Sequence, residues 1–449
     1  MRTLTVLDTT LRDGQQAPGF AVNKKSVLAG YLAETGVDIV EVGFPLSSPF
    51  EFRECREAVA VLQDTPSAAA LMCRADIAEI KQTAALLPGN AQNSVLHITL
   101  PVSDEHRNVL LGITRDKLLR RAKETTAFAA GYAAKVEIGC EDASRADTEF
   151  LCEYIETVLN AGAKIVNYAD TLGILCPPQM EQIITILQNR FVPFTNGAKI
   201  LSVHVHNDYG LATANTLSAI RAGCGQIEGT LCGIGERSGN AAIEEVIANI
   251  NAHTNIYNVV ANIKPERLNN VIKKFRREFV LPETPLTPLS GWNVNAHTSG
   301  IHQKGIAGEA RAYNTVSKTP TRIVLSRFSG KSGIRLAAAQ CGVKDLTDEH
   351  LTRLFDFVKH TQERIVSLTD FVLQLQKLNL IDELPQQPDD NVETQTVQTL
   401  GIDGQYRVYA EMLLPDGNTY SSERTGSEPE KLLNELKKET LLFQRLSAK

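Results

Sequence analysis

Residues 202–210 read SVHVHNDYG. In a strand, alternate residues share a face, so His204 and His206 are neighbours on one side while Val203 and Val205 point to the other. The chain has only nine histidines, and two held this close have either a common partner or separate ones. A shared metal ion is one reading, because neutral imidazole is a good ligand. The other is a pair of strand-end histidines, each bonded to a carbonyl or to water. The stretch also has the form that decides the fold: an apolar, valine-rich strand that ends in polar residues.

That form recurs. Short apolar runs alternate with longer helical patterns over about the first 260 residues, as in repeated βα units. The strand candidates are LTVLDTT (4–10), DIVEVGF (38–44), AAALMC (68–73), VLHITLP (95–101), KVEIGCED (135–142), KIVNYAD (164–170), LSVHVHND (201–208) and QIEGTLCG (226–233). Between the first two lies NKKSVLAGYLAETG (23–36), with Val27, Leu28, Tyr31 and Leu32 as an apolar stripe and Gly36 placed for a C-cap. This inventory predicts an α/β fold, a (β/α)8 TIM barrel. A doubly wound open sheet is the runner-up, but it rarely needs eight evenly spaced units.

Polar residues fall inside or just beyond these strand ends: Asp8, Arg12, Asp13, Glu41, His97, Glu137, Glu141, Asp170, His204, His206 and Asp208. In a barrel, C-terminal strand ends form the active-site mouth. Glu41 and Glu137, flanked by apolar residues, also suit buried, hydrogen-bonded positions in the barrel core.

Composition narrows the function. A 449-residue chain that is 43% hydrophobic can build a large core, and a net charge of −6 without a long basic run gives nucleic acid little to bind. No apolar run approaches membrane-spanning length, and MRTLTVLDTT lacks a signal pattern, so a cytoplasmic address is expected. The eight cysteines are scattered with no Cys-x-x-Cys, which suits reduced, mostly buried thiols.

Beyond the barrel, LPETPLTPLSGW (281–292) breaks regular structure with its prolines. A Gly-rich stretch follows, then helical patterns at 334–342 and 348–377 and a polar, Pro-bearing linker at 383–395. The expected domains are a catalytic barrel over 1–280, a linker and mostly helical subdomain over 281–390 that completes the site, and a small α/β module over 391–449. In that module RVYAEMLL (407–414) and TYSSERT (419–425) flank the turn PDGN, and Ser427 and Glu430 have capping-box spacing. Leu432, Leu433, Leu436, Leu441 and Leu442 mark the apolar face of its helix.

Two loops carry further chemistry. LDTTLRDGQQAPG (7–19) sets Arg12 beside Asp13, either as a local salt bridge in a turn or, next to a histidine pair, as part of a mixed N/O metal set. GIGERSGNAAIEEV (233–246) places Glu236, Arg237 and Asn240 at the mouth, and Asn240 is also placed to cap the helix that follows. His302, in SGIHQKG, is either a solvated loop histidine or part of a segment that folds over a mouth as a lid.

The segments LRDGQQAPG, GVDIVEVGFPLSSPFEF, HVHNDYGLATANTLSAIRAG, IEGTLCGIGERSGN and AHTSGIHQKG, spread over about residues 4–335, resemble the 2-isopropylmalate synthase and homocitrate synthase family. These are acyl-CoA Claisen-condensing TIM barrels of the metal-dependent group that also contains the hydroxymethylglutaryl-CoA lyases. GFPLSSPFEF is nearer the isopropylmalate synthases. The resemblance implies Asp13, His204, His206 and Asn240 as ligands of a divalent metal (Mg, Mn or Zn), and Arg12 as a catalytic residue. It implies His97, Glu141 and Thr171 as the lining of a 2-oxoacid site, and His302 as a histidine that reaches the site from the partner subunit of a homodimer. The acetyl methyl group must lose a proton, and His302 together with Glu236 is the candidate base. The substrates implied are acetyl-CoA and a 2-oxoacid, with 2-oxoisovalerate first and the homocitrate, citramalate and Re-citrate reactions as alternatives. A lyase, or a barrel that only binds, are further readings; no reactive-cysteine loop of the lyase kind is evident. The chain beyond residue 390 is short for the family's leucine-binding domain, so little leucine inhibition is expected.

Overall fold

The computed structural model describes residues 1–18, 24–87, 94–279, 286–289, 291, 293–314, 321–343, 345–361, 366, 368–381, 394–400, 406–413, 419–428 and 430–431. It divides into two compact units, Met1–Leu281 and Pro282–Lys449.

The first unit is the predicted barrel. Its strands are β1 (Arg2–Asp8), β2 (Ile39–Gly43), β3 (Ala68–Arg74), β4 (Ser94–Pro101), β5 (Lys135–Glu141), β6 (Ile165–Asp170), β7 (Ile200–Val205) and β8 (Gln226–Gly229). Each pairs in parallel with the next, and β1 pairs with both β2 and β8, which closes the sheet. A short ninth strand, β9 (Val259–Ala261), adds outside the closed ring beside Arg2–Leu4 of β1. The sequence pattern did not show it.

Alternation along the strands sorts the side chains. Leu4, Val6, Val40, Val42, Leu96, Ile98, Val136, Ile138, Val203 and Val205 belong to the large core shared with the helices. Leu7, Ile39, Ala70 and Val95 form a separate cluster on the other face, inside the barrel. Two residues further along β2 and β4 on that inner face come Glu41 and His97. On these two strands the inner face therefore changes from apolar to polar toward the C-terminal end. A charge at Val203 would face the helical shell instead and lose about 1.5–3 kcal/mol of apolar burial before any cost of the charge itself.

The helix Lys25–Thr35 ends at Gly36, whose φ of 89° is left-handed, as the C-cap reading expects. Leu28 and Leu32 are buried, but Val27 and Tyr31 only half. Lys25 is fully buried: its ammonium donates to Val42 O (2.9 Å) and to Glu51.

Three expected strands end early. β1 stops at Asp8, where Arg12, Asp13 and Gly14 all donate backbone N–H bonds to Thr9 O and form a turn. β7 stops at Val205, so His206 lies just past it, in a bridge with Asn240. β8 stops at Gly229, because Cys232 and Gly233 turn left-handed. His97, Glu41 and Glu137 in turn lie inside their strands, not at the ends.

The second unit has its own core, in which Leu325 packs with Ile334, Leu351, Leu354, Val358, Phe371 and Leu375 of the helices Lys331–Gln340, Asp348–His360 and Leu368–Lys377. The tail holds an antiparallel three-stranded sheet, β12 (Thr394–Leu400), β13 (Tyr406–Leu413) and β14 (Thr419–Gly426), after the short parallel pair β10 (Ala296–His297) and β11 (Arg322–Ile323). β12 was missed in sequence because its polar alternation, TQTVQTL, resembles the linker before it. The PDGN turn and the leucine face of the last helix lie outside the described residues. All eight cysteines are free. No helix among the described residues is long and apolar enough to cross a membrane.

Candidate active site

The turn after β1 points Asp13 at the end of β7. Asp13 Oδ2 lies 3.7 Å from His204 Nε2 and 3.9 Å from His206 Nε2, and those two nitrogens are 3.2 Å apart. All three residues are buried. Asn240, from the loop after β8, donates from Nδ2 to Asp13 Oδ1 (2.7 Å) and to Ile234 O (3.1 Å). It does not cap the following helix, whose N-cap is Ala242. Gly235 allows this approach, since a Cβ there would collide with Asn240 Nδ2.

The protonation states suit a cation. Burial holds His204 and His206 down to about 4, so both rings are neutral with lone pairs available. Burial alone would raise Asp13, but Arg12 and the histidines outweigh it and bring it down to about 2. Asn240 Oδ1 is buried without a partner. Two ligands about 2.0–2.1 Å from one ion are roughly 2.9–3.3 Å apart at right or tetrahedral angles, and the histidine nitrogens match this. His204 Nδ1 lies 3.2 Å from Glu228 Oε2, a carboxylate behind the ligand ring. The group thus fits a divalent ion by donor chemistry, spacing and the orphaned amide oxygen.

Below it is a buried charge network centred on Glu41. Its carboxylate accepts from Arg12 Nε (2.7 Å), Thr9 Oγ1 (2.7 Å) and His97 Nδ1 (2.7 Å). Burial opposes its ionisation, but Arg12 and His97 hold its pKa well below the usual range. Burial likewise opposes charge on His97, and Glu41 more than offsets this, lifting it to about 9. Arg12 also binds Asp13 through Nη1 (2.6 Å). Arg12 and His97 therefore balance Asp13 and Glu41. Glu137 is pushed well above its usual range, by burial and then by Glu228, and Glu228 rises to about 7, first through burial. Gln226 donates to Glu137 (2.7 Å), and Asn167 to Glu228. His97 Nε2 has no partner, and a Cβ at Gly139 would sit 3.0 Å from it. Glycine there keeps space open over the ring.

The remaining sequence candidates are placed less uniformly. Glu141 is half-buried against His106 Nδ1 (3.1 Å), and burial raises its pKa. Thr171 Oγ1 accepts from the Asp142 amide (2.9 Å), which leaves its O–H to donate. Glu236 is exposed on the β8 loop, 3.7 Å from Arg237 Nη1. His302 is an exposed residue of the second unit, on the helix Gly300–Gly308, stacked on Tyr313 with centroids 4.1 Å apart. Sequence reasoning passed over Glu228, Asn167 and His106. A lone carboxylate inside the apolar run QIEG was the available signal for Glu228; nothing in the sequence singled out the other two.

Fold and site define a class: a (β/α)8 barrel enzyme with a candidate mixed nitrogen and oxygen metal site at its mouth. Comparison with known proteins agrees. The HMGL-like family matches residues 3–273, and the domain described as homocitrate synthase post-HMGL domain-like matches 289–365. A 2-isopropylmalate synthase of Pyrococcus furiosus is 36% identical over 380 residues, 83% of this chain and 75% of that protein. 2-Isopropylmalate synthase 1 of Caldanaerobacter subterraneus is 36% identical over 371 residues, 81% of this chain and 92% of its own. Among solved structures, the hydroxymethylglutaryl-CoA lyase of Pseudomonas aeruginosa aligns with a TM-score of 0.54 at 18% identity, covering 64% of this chain and 96% of that one, which supports the fold. The chain belongs to the HMGL-like family, on the 2-isopropylmalate synthase and homocitrate synthase branch.

Proposed function

We propose that the chain condenses acetyl-CoA with 2-oxoisovalerate and water to give 2-isopropylmalate and free CoA. A proton leaves the acetyl methyl group, the methyl carbon bonds to the keto carbon, the keto oxygen takes up a proton, and water cleaves the C–S bond. The observation that carries this reading is the convergence of Asp13, His204, His206 and Asn240 beside Arg12, in a member of this family.

Asp13, His204, His206 and Asn240 would hold a divalent ion, which when bound supplies Lewis acidity to the oxoacid's keto oxygen. Arg12 is fixed through Nε and Nη1, which leaves Nη2 to stabilise charge developing on oxygen. His97 Nε2, buried, charged and unpartnered, is suited to an oxoacid oxygen; Glu141 and Thr171 complete that lining. His302, together with Glu236, takes the methyl proton. His302 acts from the partner chain of a homodimer, the barrel over 1–280 carries the chemistry, 281–390 completes it, and 391–449 is accessory. We place the enzyme in the cytoplasm.

The test is CoA release from acetyl-CoA, with Mg²⁺, Mn²⁺ or Zn²⁺, across a panel of 2-oxoacids. 2-Oxoisovalerate should be fastest. Preference for 2-oxoglutarate, pyruvate or oxaloacetate would move the assignment to a sister synthase. No release with any of them would remove the synthase reading.

A further inference from the structure

Arg237 has a left-handed backbone, φ 54°, in the loop between β8 and Asn240. A non-glycine residue at positive φ is strained, and such strain persists only where surrounding contacts enforce it. A glycine would take this conformation freely, but it would lack what the Arg237 side chain does. Its Nε and Nη2 grip both oxygens of Asp208 (2.8 and 3.0 Å), and Nη2 also donates to Thr171 O (2.6 Å). One guanidinium thus ties together the loops after β6, β7 and β8.

The tie lies among the proposed ligands. Asp208 is two residues past His206, and Arg237 three before Asn240. The loop between is cross-linked by Gly239 N to Glu236 O (2.8 Å), Asn240 N to Gly233 O (2.9 Å) and Asn207 N to Gly239 O (2.9 Å). Exposed ion pairs contribute little stability as a rule, so stability alone is a poor reason to keep a strained arginine here. A bidentate fork, by contrast, fixes direction as well as distance.

We propose that Arg237 and Asp208 form a clasp that positions the Asn240 loop over Asp13, His204 and His206, so that Arg237 is a positioning residue for the divalent ion. This rests on the metal reading given above.

The full-length chain is titrated with Mn²⁺, free Mn²⁺ being counted by electron paramagnetic resonance. R237G removes the side chain and relieves the backbone; D208N removes the charge partner with little change of shape. Each should weaken Mn²⁺ binding about tenfold, the usual effect of losing a group that holds ligands. The D208N/R237G double variant should be no weaker than the poorer single one, because both break the same clasp. R237K, which cannot form the fork, should fail to restore binding. Wild-type affinity in R237G, or fully additive losses in the double variant, would overturn the clasp. The H204A/H206A variant serves as control: if it binds Mn²⁺ as well as wild type, the metal reading itself is wrong and the clasp has no ion to serve.

Discussion

His204 Nε2 and His206 Nε2 lie 3.2 Å apart, two neutral lone-pair donors turned toward each other and toward Asp13. Without a common partner, only one N–H could bridge them. A shared cation uses both.

Removing this pair should therefore abolish metal binding. In H204A/H206A the ion would retain only Asp13 and Asn240, too few ligands to hold it. Metal analysis after dialysis should find a stoichiometric divalent ion in the wild type and close to none in the variant. An unchanged stoichiometry would refute the site.

Arg12→Lys should lose turnover far more than stability. Arg12 spans Glu41 and Asp13 with two separate donors, and its third nitrogen is the proposed oxyanion donor. An ammonium keeps the charge but not this fork. Loss of an oxyanion contact typically costs on the order of 10²-fold in kcat. Near-normal kcat in R12K would show that the guanidinium has another role.

Stability should fall with rising pH through His97. Its folded-state pKa, about 9, lies above the roughly 6.5 of an unfolded histidine. Its contribution is complete below about pH 6.5, declines as pH rises, and is gone above about 9. The limit is on the order of 3 kcal/mol. Urea midpoints at pH 6 and pH 9.5 should differ less in H97Q than in wild type. Equal pH dependence in the two proteins would mean that His97 is not charged beside Glu41.

If His302 serves the partner's barrel, mixing inactive H302A with inactive R12A chains should restore activity, since a hybrid dimer contains one site with both residues intact. Hybrids shown to form but lacking activity would place His302 in its own chain's site or outside catalysis.

A chain ending near residue 390 should keep its metal and much of its turnover, because every proposed ligand precedes Ala241 and the tail holds no histidine. Metal loss on truncation would contradict the accessory role.

What the sequence determined by itself was local. Period-two alternation and strand spacing specified parallel βα units, because they depend only on which neighbours share a face. The H-x-H pair placed its two imidazoles on one side for the same reason, and the family motifs proposed the ligand set. Tertiary structure decided which distant groups meet. In sequence Asn240 is placed to cap a helix and, by the resemblance, to hold a metal; the fold brings Gly235 against Asp13, and the amide bonds Asp13 rather than the helix end. Glu41 reads as an apolar-flanked core residue until barrel closure places it between Arg12 and His97. Glu228 passed unnoticed until β8 paired with β7 beside His204. These are contacts between strands far apart in the chain. They set which carboxylates ionise and which imidazoles stay neutral, because burial and neighbouring charge are properties of the closed barrel rather than of any segment within it.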